Sequence, residues 1–169
     1  MNYIINENKK NVELIRNDIS LLYNKMNKRF DNLQFNNINK QELKFPDGRY
    51  VGQVVNGLAE GQGIWYGNDG ERYEGDWRND KKEGKGIYYW NVGDIYEGDY
   101  INDKKEGKGI YYYNNGDRYE GDWRNGKMEG KGLLYFANGD RRMGDFYNDK
   151  EIGKHVRLTN YGEVQIENY

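Results

Sequence analysis

Cysteine is absent from this chain, which excludes disulfide staples, zinc–thiolate sites and thiol nucleophiles. A single histidine, His155, leaves an imidazole-based metal site or catalytic base without a second His or Cys to work with, so a structural or capping role is expected for it. Proline occurs once in 169 residues while 23 glycines fall at regular positions, so the chain is not a low-complexity linker. No run approaches the ~20 apolar residues that a bilayer span requires. The N-terminus, Met1-Asn2-Tyr3-Ile4-Ile5-Asn6-Glu7-Asn8, lacks the apolar core and small-residue cleavage site of a secretory peptide. The expectation is an intracellular protein that is neither secreted nor membrane-spanning. A formal net charge of −2 supplies no concentrated basic surface for a phosphate backbone, so nucleic acid is not an expected partner.

What the chain has instead is aromatic. Only 36% of it is hydrophobic, yet 15% is Phe, Trp or Tyr, led by 17 tyrosines. This composition cannot fill a thick aliphatic core. It can cover a thin sheet with rings that have an apolar body and a polar tip.

Those rings recur every 23 residues. Tyr73-Glu74-Gly75-Asp76-Trp77 returns as Tyr96-Glu97-Gly98-Asp99-Tyr100 and as Tyr119-Glu120-Gly121-Asp122-Trp123. Glu83-Gly84-Lys85-Gly86-Ile87-Tyr88-Tyr89 returns as Glu106-Gly107-Lys108-Gly109-Ile110-Tyr111-Tyr112. A fixed short period means one small unit stacked in a row, which builds a long surface and not a single pocket. Within a unit the alternation is that of strands. Tyr73, Gly75 and Trp77 share one face, with Glu74, Asp76 and Arg78 on the other. Asn79 to Glu83 reads as a polar turn, Gly84 to Trp90 as the returning strand, and Asn91-Val92-Gly93-Asp94 as the turn into the next unit. Each unit is a β-hairpin, and ten strands spaced about 4.8 Å apart give an array of roughly 50 Å.

Glycine normally weakens a strand. The columns Gly75/98/121, Gly84/107/130 and Gly86/109/132 are therefore read as structural, and their recurrence beside Tyr and Trp predicts a ring across bare backbone, where a side chain at Gly75 or Gly86 would collide. Residues 1–43 differ, with no glycine. Val12, Ile15, Ile19, Leu22 and Met26 follow a 3-4-3-4 spacing, one apolar stripe on a helix. Three fates remain open for it: packing against the end of the sheet, a coiled coil with another copy or another protein, or a helix without a partner.

Tyr-x-Gly-x-Trp, a polar turn, Gly-Lys-Gly and a closing Asn/Asp-Gly at this spacing are similar to the MORN (membrane occupation and recognition nexus) repeat. The likeness extends over residues 50–164. It implies a single-layered, twisted antiparallel sheet with an aromatic-lined groove, assembly roles in cytoskeletal, ciliary or membrane-associated structures, and arrays attached to enzyme domains. The whole is expected to be an all-β repeat array of residues 44–169, an elongated single-layer meander of five 23-residue hairpins starting near 50, 73, 96, 119 and 142. An N-terminal helical docking or dimerisation segment over 1–43 precedes it. Units one and five depart from the pattern, as terminal caps do.

Chemistry is harder to find. Gly84-Lys85-Gly86 is followed by Ile inside a strand, unlike a phosphate loop. Catalytic carboxylates work in unlike environments, whereas Asp76, Asp99 and Asp122 repeat identically, and so do Lys85, Lys108 and Lys131. They read as a solvated rim of cross-strand pairs. No catalytic residue, cofactor or metal site is expected, and the acidic spacing does not match a calcium cage. A single sheet cannot bury both faces, so Tyr73, Trp77, Tyr88, Tyr89, Tyr96, Tyr100, Tyr111, Tyr112, Tyr119 and Trp123 are the candidate anchors for a protein partner, a docked helix among the options. A homodimer through the N-terminal helix and peripheral contact with phospholipid are further readings.

Overall fold

The computed structural model describes residues 40–169, and they form one antiparallel sheet of twelve strands. The helix, coiled coil and dimer expected of the N-terminal segment lie outside the described residues. The strands are β1 (Gln41–Phe45), β2 (Gly48–Val55), β3 (Leu58–Gly67), β4 (Arg72–Arg78), β5 (Lys81–Tyr89) and β6 (Ile95–Ile101). They continue as β7 (Lys104–Tyr112), β8 (Arg118–Arg124), β9 (Lys127–Tyr135), β10 (Arg141–Tyr147), β11 (Lys150–Leu158) and β12 (Val164–Asn168). Spatial order equals sequence order throughout. The five expected hairpins are β2–β3 through β10–β11, and single strands β1 and β12 flank them. The array therefore starts at Gln41, inside the segment read as helical, because Gln41 to Phe45 pair in register with Gly52 to Gly48.

The hairpin turns are tighter than the sequence reading allowed. Asn79 and Asp80 lie at φ 49° and 63°, and Asn102 and Asp103 at 49° and 67°. Two consecutive left-handed residues make a two-residue turn of the kind that matches strand twist, and Asn and Asp tolerate it best. Lys81 and Lys82 thus belong to β5, not to a loop.

Partway along each hairpin, a few residue pairs beyond the turn, lies a bulge. Gly75 pairs with Gly86 but Asp76 pairs with Glu83, so Gly84 and Lys85 are extra. Gly84 lies at φ +61°, and Gly107 and Gly130 repeat this at +62° and +67°. Their glycine requirement is a left-handed backbone, not an overlying ring. The expected ring crossing holds at the other columns: a Cβ on Gly86 would stand 2.2 Å from the Tyr73 hydroxyl oxygen, and one on Gly109 2.4 Å from that of Tyr96.

On this aromatic face lies the core. Tyr50, Tyr73, Tyr96 and Tyr119 are fully buried, interleaved with Trp77, Tyr100, Trp123 and Phe146. The rings meet edge-to-face in an unbroken series, from Tyr50–Trp77 at 5.1 Å to Tyr119–Phe146 at 5.0 Å. Such contacts are worth about 0.5–1.5 kcal/mol each beyond area burial. The hydroxyls reach back to main chain: Tyr73 donates to the Asp76 carbonyl at 3.1 Å, and Tyr96 and Tyr119 repeat the bond.

Candidate functional site

The opposite, charged face carries three parallel rows that run across the strands. In the central row acid alternates with aliphatic: Glu74, Ile87, Glu97, Ile110, Glu120, Leu133 and Met143 pair in succession. One flanking row alternates Asp and Lys. Lys85 Nζ reaches Asp99 at 2.5 Å, Lys108 pairs with Asp122, and Lys131 reaches Asp145 at 2.6 Å. Asp76, Asp99 and Asp122 also accept from the bulge amide of their own hairpin. Lys85 N donates to Asp76 at 2.9 Å and Lys131 N to Asp122 at 3.1 Å. The Asp–Lys row thus links hairpin to hairpin, although each exposed ion pair adds at most about 1 kcal/mol. The other flanking row stacks arginine on tyrosine. Arg49 lies 4.4 Å from the Tyr66 ring, Arg72 4.3 Å from Tyr89 and Arg118 4.0 Å from Tyr135.

Between the central row and the lysines of the Asp–Lys row runs a trough of about 980 Å³ from Gln62 on β3 to Met143 on β10. Its floor is the bare backbone of the paired glycines Gly75/Gly86, Gly98/Gly109 and Gly121/Gly132. Burial in it pushes the Glu74 carboxyl up to about 7, against the lowering effect of Arg72 2.6 Å away. Glu120 has Arg118 at 3.9 Å. Glu97 has Ile95 at the corresponding position, so among the described residues no cation lies within ion-pair reach of it.

The candidate residues therefore divide. Tyr89, Tyr112, Asp76, Lys85, Asp99, Lys108, Asp122 and Lys131 all stand on the charged face around the trough. Tyr73, Trp77, Tyr96, Tyr100, Tyr119 and Trp123 are at most 6% exposed on the other face, so these rings are core and offer no open anchor. Tyr88 and Tyr111 are half-buried in a second aromatic row with Trp90 and Tyr113, their hydroxyls donating to Glu71 at 2.5 Å and to Asp94 at 2.7 Å.

Two features escaped the sequence reading. Lys82 and Lys105 point onto the aromatic face, and Lys105 Nζ lies 3.9 Å from the Trp123 ring and 4.8 Å from Tyr111. Burial pulls the Lys105 amine down to about 8 and lowers Lys82 as well. The Asn-Asp dipeptide was the available signal, because a two-residue turn there places the next lysines in a strand. The Glu–Ile alternation was also visible, but only the cross-strand register shows that its members from different hairpins form one line.

Fold and surface together define an open, single-layered β-repeat array with a charged trough. The MORN repeat family model matches four consecutive units, residues 50–72, 73–95, 96–118 and 119–141, more than half of the chain. The chain belongs to the MORN-repeat family, with its fifth hairpin outside the matched units. No curated protein matches it. A solved structure it is similar to is the TCP domain of SAS-4 (dCPAP) in complex with a proline-rich motif of Ana2 (dSTIL) from Drosophila melanogaster. The identity is 15% and the TM-score 0.40, over 77% of this chain and 90% of that one. At that score nothing is carried over to this chain. None of the described groups of His, Asp and Glu could hold a metal ion.

Proposed function

We propose that this array is a non-enzymatic docking platform that receives a partner protein, in helical form, along the trough of the charged face. The carrying observation is the central row: carboxylates, half-buried at Glu74 and Glu97 and exposed at Glu120, alternate with aliphatic side chains over a glycine floor, while the Tyr73, Tyr96 and Tyr119 rings form the core on the other face. An amphipathic helix offers the complementary pattern, an apolar ridge with cations beside it. Membership in the MORN family supports a protein- or membrane-binding role. A place in a larger assembly, cytoskeletal or ciliary, or as an accessory subunit of an enzyme, uses the same docking chemistry.

Phospholipid is the weaker reading, because Lys85, Lys108 and Lys131 are each matched by an aspartate, leaving little net attraction for anionic headgroups. A photo-cross-linking amino acid placed at Ile110 on the trough, and separately at Tyr113 on the aromatic face, decides between the faces in native lysate. Protein adducts are expected from position 110. Adducts from position 113 alone would overturn the proposal, as would salt-sensitive retention on anionic vesicles without any protein adduct.

A further inference from the structure

The most periodic apolar feature of the charged face has a counterpart in the chain's own first residues. Ile87, Ile110 and Leu133 recur two strands apart along the central row, a repeat of roughly 9.6 Å. Val12, Ile19 and Met26 recur every seven residues on the helical stripe, a rise of roughly 10.5 Å per step. Over the three members the lengths are roughly 19 Å on the sheet and 21 Å on the helix. Ile15 and Leu22 fill the intervals of the stripe, as Glu97 and Glu120 fill those of the row.

Resting on the reading of the trough as a helix-docking site, we propose that its resident occupant is residues 12–26 of the same chain, a built-in competitor that an external partner must displace. Three observations carry this. The first is the agreement of repeat lengths. The second is charge. Glu97 faces the trough without the arginine that accompanies Glu74 and Glu120, and Lys25, beside Met26 on the flank of the stripe, brings a cation to that level. The third is tethering. The segment joins the sheet at Gln41 in β1, about four strand spacings or 19 Å from β5. The fifteen or so residues from Met26 onward span that distance with slack even when partly helical. Tethering also favours one polarity, with Met26 over Ile87 and Val12 over Leu133, because the opposite orientation would stretch the connecting residues over eight strand spacings, about 38 Å.

The lack of cysteine makes the test clean. In the full 169-residue chain, the pairs Met26→Cys/Ile87→Cys and Val12→Cys/Leu133→Cys are oxidised mildly and analysed without reductant. The reversed pair Val12→Cys/Ile87→Cys is the control. Both parallel pairs are expected to give a cross-linked monomer of faster electrophoretic mobility in at least tenfold higher yield than the control. Glu97→Arg, introduced into the Met26→Cys/Ile87→Cys chain, is expected to reduce that yield severalfold with the tyrosine near-ultraviolet CD unchanged. Cross-linked dimers in place of monomers would overturn the proposal in favour of a second copy. Equal yields from the reversed pair, or none from any pair, would overturn it outright. If trough adducts to a foreign protein persist while the intramolecular bond never forms, the resident occupant alone is refuted and the docking site stands.

Discussion

In four hairpins a tyrosine ring crosses the sheet over a pair of glycines, and in the fifth the ring comes from the other strand. Arg142 stands where Tyr119 stands one unit earlier, and His155 where Gly132 does. The His155 imidazole fills the space from the other strand, so a Cβ on Gly144 would meet its ring at 2.4 Å. Phe146 and Tyr169 close edge-on around it at 5.4 and 5.0 Å, and Nε2 donates to the Asp145 carbonyl at 2.9 Å. His155→Gly is expected to open a void and cost about 2–4 kcal/mol, read as faster hydrogen exchange across β10–β12. Arg142→Tyr added to it should restore most of the protection by returning the ring to its usual strand, less what is lost with the Arg142 ion pairs to Glu151 and Glu167. Glu74 makes a second residue-level case. Its carboxyl is raised by burial to about 7, so folding takes up a proton. The associated stability is complete below the ordinary glutamate range and is lost as pH rises through about 7. Thermal melts should therefore show the midpoint falling between pH 5 and 8, and Glu74→Gln should flatten that slope. Of these residues only His155 stood out in the sequence, as a break in a glycine column. That it replaces a ring from the neighbouring strand depends on the pairing of Met143 with Val156, which sets His155 beside Gly144 and which spacing alone does not reveal.

At the scale of the hairpin, glycine serves two separate ends, and substitution should separate them. Gly109 is packed: a Cβ there would lie 2.4 to 2.6 Å from the hydroxyl oxygen and two ring carbons of Tyr96. Gly109→Val forces the ring out, at an expected cost of about 3 kcal/mol or more. Gly107 is conformational: it sits at φ +62°, and the nearest atom to its missing Cβ is an Asp99 carboxylate oxygen at 2.9 Å. Gly107→Ala should cost about 1–2 kcal/mol, and Gly107→Asn less, since Asn tolerates the left-handed region. Chemical denaturation of the three variants orders them. Strand alternation was fully legible, because parity survives a bulge of two residues, and so the faces of Tyr73, Glu74 and Gly86 follow from the text of the sequence. The bulge and the two-residue turn were not, because Gly-Lys-Gly and Asn-Asp-Lys-Lys fit a plain strand and a longer loop equally well until the register is known.

For the whole molecule, the period of 23 residues carried the antiparallel order and the number of hairpins, while the single layer was what the family resemblance implied. The flanking strands were missed. β1 and β12 are partial units without a full motif, and β12 leaves Val164 and Ile166 about 70% exposed. The trough was missed as a place because it belongs to no repeat: its walls come from eight strands and exist only when the hairpins are set side by side.

Every strand is bonded only to its predecessor and successor in the chain. Tension applied at the two extremities of the array therefore loads the hydrogen bonds of one ladder at a time, from the outermost inward, rather than in parallel. Each hairpin that yields releases a length of roughly 75 Å at low force, so the array behaves as a compliant spring whose loss of one unit leaves the next intact.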